Sequence, residues 1–268
     1  MPHIPRRWLA LAATPSLILV GAFVVQQPAV ADAGEYVALG DSYASGLGTR
    51  EYDPGSGDCK RSPHAYAAID AARIGASLTF VACSGAQVSD VVNNQIGELD
   101  AATSWVTVQV GGNDAGFSDV ITECALPEWA SDCQAAVAEA QDIIRNALPG
   151  RLTGLYGEIS ARSPVAQVVV VGYPRLFNGE DCNAGTFFSP DDQRILNETA
   201  DLLSATIGGV AGAHGFAFVD PIPAFVGHAV CDDPEWINGL SNPIDESYHP
   251  NRDGQVGYAD LVDDYLLS

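Results

Sequence analysis

Four short polar blocks carry residue types that do chemistry together. Gly40-Asp41-Ser42-Tyr43 supplies a serine hydroxyl, while Cys83-Ser84-Gly85-Ala86 and Gly111-Gly112-Asn113-Asp114 supply amide donors. Asp245-Glu246-Ser247-Tyr248-His249-Pro250-Asn251 supplies an imidazole beside two carboxylates. A serine hydroxyl is a weak nucleophile until a base takes its proton, and a histidine base needs an acceptor on its other ring nitrogen. Attack on a carbonyl then places negative charge on oxygen. Fixed N–H donors stabilise that charge, each worth about 10²–10³ in rate. Ser42 is the candidate nucleophile and His249 the candidate base, with the Gly85 N–H and the Asn113 side-chain amide as candidate donors. Singly, each block has a plainer reading. A serine after a strand caps a helix, Gly-Gly-Asn-Asp is turn chemistry, and a lone histidine is a surface or satisfied core residue.

These blocks need elements to bring them together. Tyr36–Gly40, Leu78–Cys83, Trp105–Val110, Gln167–Gly172 and Phe216–Asp220 are short, β-branched and nearly continuously apolar. Such runs predict strands covered on both faces, as in a parallel sheet. Helical spacing falls between them over Ser62–Ile74, Val88–Leu99, Asp132–Arg162 (one long helix or two, with Pro149-Gly150 as the candidate break) and a last stretch from Asn251 to Leu267. Ser189-Pro190-Asp191-Asp192 is a helix start, with a capping serine, proline at the first position and acids at the positive end of the dipole. The Asn197-Glu198-Thr199 sequon falls inside that helix and is read as chance. Strand–helix alternation predicts one α/β domain, a three-layer doubly wound sheet of five strands. In such sheets ligands bind beyond the carboxyl ends of the strands, where three of the blocks lie. Ala44 stands where G-x-S-x-G would need its second glycine, so the turn at Ser42 is not that elbow.

The chain has 268 residues and a formal charge of −22. It has no basic face for phosphates, which argues against nucleic acid and against anionic membrane as partners. Arg6-Arg7, the apolar stretch Trp8–Val25 and Ala29-Val30-Ala31 read as an export signal over residues 1–31, with Ala33 as a second cleavage point. Removing residues 1–31 takes away two arginines and no acid, leaving 237 residues at −24. No later run is long and apolar enough to span a bilayer. An oxidising compartment makes the six cysteines disulfide candidates, expected as Cys59–Cys83, Cys124–Cys133 and Cys182–Cys231. None has the spacing of a metal site, and no metal or other cofactor is called for. A monomer is the expected state.

The four blocks, in this order, resemble the SGNH (GDSL) hydrolase family, in its secreted bacterial lipase/phospholipase-like branch. The resemblance runs from Glu35 to the C-terminus. It implies a flavodoxin-like sheet in the order 2-1-3-4-5 and an acyl-Ser42 intermediate in hydrolysis of lipid acyl esters. It also implies His249 as base and an oxyanion hole of Ser42 N–H, Gly85 and Asn113. The family usually carries Asp three residues before the histidine, where this chain has Glu246, with Asp245 one earlier. Glu246 is the first choice to orient His249; Asp245 or a backbone carbonyl near Ser247 are the alternatives. Ile222, Phe225, Val226, Trp236, Ile237 and Phe117 are candidates to line an acyl groove, or else pack a small core of their own loop. A carbohydrate (acetyl) esterase and a non-catalytic secreted binding module are the competing functions.

Overall fold

The apolar runs form five strands: β1 (Glu35–Gly40), β2 (Ser77–Phe80), β3 (Thr103–Gln109), β4 (Gln167–Val171) and β5 (Ala217–Val219). The structure is a computed structural model that describes residues 1–3 and 34–267. The expected export signal over residues 1–31 therefore lies outside the described residues, save for residues 1–3. All strand pairings are parallel, and the sheet order is β2-β1-β3-β4-β5. Parallel strands need crossovers, and helices supply them. The helices are α1 (Ser42–Ser45), α2 (Tyr66–Ile74), α3 (Val88–Asn94), α4 (Phe117–Cys124), α5 (Cys133–Asn146), α6 (Leu148–Arg162), α7 (Pro190–Ala213) and, after the last strand, α8 (Arg252–Leu266).

Helices cover both faces of the sheet. One group is α2 packed on α8; the other is α3, α5, α6 and α7 packed on one another, with α4 on α5. Val37, Val106, Val108, Val169, Val170 and Val171 are buried between them. Burial of each such side chain is worth about 1.5–3 kcal/mol. The continuous apolar reading holds for β1 and β4 and overstates β2, an edge strand whose residues are half-buried or exposed.

Helix boundaries follow local chemistry. Ser189 accepts from the Asp192 N–H while Asp192 reaches back to the Ser189 N–H, a capping box with Pro190 at the first helical position. The 132–162 segment is two helices, broken at Ala147 rather than at Pro149-Gly150. Proline has no N–H to lose in a first turn, so Pro149 starts α6 instead of ending α5. Among the described residues no helix is long and apolar enough to cross a membrane. Disulfides join Cys59 to Cys83, Cys124 to Cys133 and Cys182 to Cys231.

Candidate active site

The carboxyl ends of β1, β2 and β3 meet the loop before α8. β1 ends at Gly40, whose φ of 139° suits glycine; a Cβ there would stand 2.3 Å from the Gln109 carbonyl oxygen. The Gln95 side chain clamps this turn. Its Oε1 accepts from the Gly40 N–H at 2.8 Å and its Nε2 donates to the Gly40 carbonyl at 2.9 Å. Asp41 then caps α1, accepting from the Tyr43 N–H at 3.0 Å. Burial raises the Asp41 carboxyl to about 7, against the pull of its hydrogen bonds from the Tyr173 hydroxyl and Tyr43 N–H. Tyr173 also accepts from the Gly112 N–H at 3.4 Å, and so joins the Ser42 turn to the Gly112-Asn113 turn. Ser42 follows at the first position of α1, where backbone N–H groups have no helical partner.

His249 meets Ser42 from the other side. Its Nε2 lies 2.8 Å from Ser42 Oγ and its Nδ1 lies 2.9 Å from the Ser247 carbonyl oxygen. A carbonyl only accepts, so Nδ1 carries the hydrogen and the Nε2 lone pair faces the serine hydroxyl. Tyr248 makes this reach possible. It sits at φ 60°, a left-handed conformation uncommon for a bulky residue, and the chain doubles back so that the carbonyl of Ser247 meets the ring two residues on. Tyr248 is fixed by its N–H donation to the Asn238 carbonyl at 2.9 Å and by ring contacts with Phe177 and Phe188. Burial lowers His249 to about 4, opposed by the Ser247 carbonyl and the charge of Asp245. The imidazole is therefore neutral at pH 7.

Glu246 does not orient His249, which corrects the first choice drawn from the sequence. Its Oε1 accepts from the Tyr52 hydroxyl at 2.5 Å, and its Oε2 stands 3.6 Å from the Arg50 guanidinium. A short 3₁₀ turn over Ile244–Glu246 points this buried carboxylate at the loop after α1 instead. Asp245 is exposed and acts on the ring only through its charge.

Gly85 and Asn113 lie on neighbouring turns. The Cys83 N–H donates to the Gly40 carbonyl at 3.0 Å and the Ser84 N–H to the Cys59 carbonyl at 3.1 Å, beside the Cys59–Cys83 bridge. Gly85 follows at φ 80°. Asn113 Nδ2 donates to the Ala86 carbonyl at 3.0 Å, which uses one of its two hydrogens and ties the third-strand turn to the Gly85 turn. Asp114 completes the tie, accepting from the Val88 N–H at 2.8 Å and pairing with Arg151 at 2.9 Å.

From Ser42 and Asn113 a narrow apolar cleft runs between α4, α5 and α7. Phe117, Val120, Ile121, Ala140, Ile144, Leu196, Ala200 and Leu203 line it, with Tyr173 at the serine end. Of the groove residues expected from the sequence only Phe117 is here. Phe225 and Ile237 are buried in the core, Trp236 stacks on His228 at 3.9 Å between ring centroids, and Val226 is exposed. Among the described residues, Cys182, Cys231 and Glu235 are near enough together to suggest a metal site, but both sulfurs are spent in a disulfide.

Sequence reasoning missed Gln95, Tyr173 and the cleft helix α4. The signal for α4 was Phe117, Val120, Ile121 and Cys124 at helical spacing; its start, Gly116, has no side-chain cap to announce it.

A model of the GDSL-like Lipase/Acylhydrolase family matches residues 38–256. A lipase of Streptomyces rimosus is 42% identical over 256 residues, which is 94% of each chain. The crystal structure of a phospholipase A1 from Streptomyces albidoflavus NA297 is similar at a TM-score of 0.82 and 45% identity, over 87% of this chain and 99% of that one. The extracellular lipase of Streptomyces rimosus gives 0.81 and 41% over the same shares. An acetylxylan esterase of Geobacillus stearothermophilus, at 15% identity and a TM-score of 0.56 over 88% of this chain and 94% of that one, shares the fold alone. With its four blocks, its sheet order and these relatives, the chain belongs to the GDSL-like lipase/acylhydrolase family and is a carboxylic ester hydrolase.

Proposed function

We propose that the chain is an exported hydrolase of lipid acyl esters that works through an acyl-Ser42 intermediate. The observation that carries this reading is the Ser42–His249–Ser247 relay at 2.8 and 2.9 Å. His249 Nε2 takes the Ser42 proton as Oγ bonds to the ester carbonyl carbon. The carbonyl oxygen becomes an oxyanion, which Ser42 N–H, Gly85 N–H and the second Asn113 Nδ2 hydrogen stabilise. The C–O bond to the alcohol breaks as His249 returns the proton to the leaving oxygen. Water, deprotonated by His249, then hydrolyses the acyl-serine by the same path in reverse. The Ser247 carbonyl fixes the tautomer throughout and supports the imidazolium with a dipole.

The apolar cleft supports an acyl chain as the bound group, in line with the lipase and phospholipase A1 names of the relatives. Its lining is mainly aliphatic, unlike the open aromatic platform a polysaccharide would need. The disulfides fit an oxidising compartment, and residues 1–31 serve as the export signal in this reading. Replacing Ser42→Ala is the test. Hydrolysis of p-nitrophenyl butyrate should fall by about 10³-fold or more, and fluorophosphonate labelling of Ser42 should vanish, with thermal stability unchanged. Near-wild-type turnover would remove the assignment.

A further inference from the structure

α4 contributes Phe117, Val120 and Ile121 to the cleft and then runs straight into an exposed turn. That turn holds Leu126 at 38% exposure and Trp129 at 88%. Phe187, 56% exposed, joins it, because its N–H donates to the Ala125 carbonyl at 3.1 Å. The turn is held firmly. The Cys124–Cys133 bridge closes it, the Ala130 N–H donates to the Pro127 carbonyl at 2.8 Å, and Ser131 Oγ donates to the Glu123 carbonyl at 2.9 Å. Exposed apolar residues scattered singly are ordinary. Three on one pinned rim, next in the chain to a helix that lines the apolar cleft, mark an interaction site. Tryptophan suits a boundary in which its ring enters an apolar phase and its N–H stays wet.

We infer that this rim docks the enzyme on a zwitterionic lipid–water interface, with the cleft mouth against the lipid. The inference rests on the acyl-ester reading above. Charge selects the surface. Asp119, Glu123, Glu128 and Asp132 flank the apolar residues, and no Lys or Arg occurs from Gly116 to Cys133. An anionic headgroup is repelled there, a phosphocholine headgroup carries no net charge, and a second copy of the chain would set acid against acid.

The test uses the enzyme carrying Ser42→Ala, so that no lipid is cleaved, with sedimented vesicles of pure phosphatidylcholine and vesicles containing phosphatidylglycerol. Binding to phosphatidylcholine with a blue-shifted tryptophan emission is expected. Trp129→Ala should weaken it roughly tenfold, the loss of one large apolar side chain's burial. Phosphatidylglycerol should weaken binding at low salt, and added salt should restore it. In the active enzyme, Trp129→Ala should keep turnover of monomeric p-nitrophenyl butyrate while hydrolysis on phosphatidylcholine vesicles falls by a similar factor. The inference is overturned by equal vesicle binding with and without Trp129, by preference for phosphatidylglycerol, or by absence of binding with Trp129-dependent self-association in its place. Failure of the acyl-ester reading shows separately, as turnover retained by Ser42→Ala, and leaves the vesicle assay intact.

Discussion

The Tyr43 hydroxyl donates to the Tyr248 carbonyl at 2.7 Å, so the residue after Ser42 is bonded to the residue before His249. The two lie 205 positions apart in sequence. Tyr43 is also held by Gln255 of α8, whose Nε2 donates to the Tyr43 carbonyl at 3.0 Å. Spacing between serine and base is thus set by buried bonds between the β1 turn and the C-terminal loop. Tyr43→Phe removes the hydroxyl and leaves a buried carbonyl without its donor, at a cost of about 1–3 kcal/mol of stability. With the spacing loosened, kcat should fall about tenfold or more while KM changes little. Steady-state kinetics beside a denaturant titration check both. Unchanged kcat would show that the spacing is set elsewhere.

His249 is held near pKa 4 chiefly by burial, and only its neutral form accepts the serine proton. Activity should therefore persist at pH 5 and be lost as pH falls towards 4. Proton NMR of the His249 ring measures the titration directly, with a midpoint near 4 expected; a midpoint near the ordinary 6.5 would contradict the burial argument.

Asp70 of α2 is fully buried beside the Asp263 carboxyl of α8. Burial first, and then the Asp263 charge, raise it to about 9. The folded state thus holds a proton that the unfolded chain releases near 3.8, so this contribution to stability is complete below pH 3.8 and declines as pH rises towards 9. Asp70→Asn keeps the shape without that proton. It should flatten the alkaline decline and add about 1–3 kcal/mol at pH 8–9. Thermal unfolding of both proteins from pH 5 to 9 gives the comparison, and parallel curves would count against the raised carboxyl.

Ala140 of α5 and Ala200 of α7 face the cleft between larger aliphatic neighbours. Ala200→Phe fills that space. Turnover of p-nitrophenyl decanoate should fall about tenfold relative to the butyrate, since lost acyl burial costs about 0.8 kcal/mol per CH₂. A chain-length profile measures it, and an unchanged ratio would place the acyl chain elsewhere.

Much of this was legible in the sequence because the physics is local. The runs at Tyr36–Gly40 and Gln167–Gly172 read as buried parallel strands, and β1 and β4 lie within those bounds to one residue. Ser189-Pro190-Asp191-Asp192 announced α7 by cap, proline and dipole. What was hidden depends on contacts between distant segments. Every residue has a carbonyl, so nothing in the sequence singles out that of Ser247; it is selected by the left-handed turn at Tyr248. Glu246 had the right spacing for a carboxylate partner, but Tyr52 and Arg50 of a distant loop claim it. Phe225 and Ile237 had the composition of a groove and went to the core, while α4 supplied the groove from a stretch with no capping side chain.

In the proposed mechanism the Ser247 backbone carbonyl, with no carboxylate in contact, orients the base that serves Ser42. kcat/KM of the Asp245→Asn, Glu246→Gln double variant on p-nitrophenyl butyrate tests it most directly, with near-ultraviolet circular dichroism as the check on folding. A folded variant within about tenfold of wild type is the expected result. A loss of about 10⁴-fold, the scale seen when a triad carboxylate is removed, would contradict it.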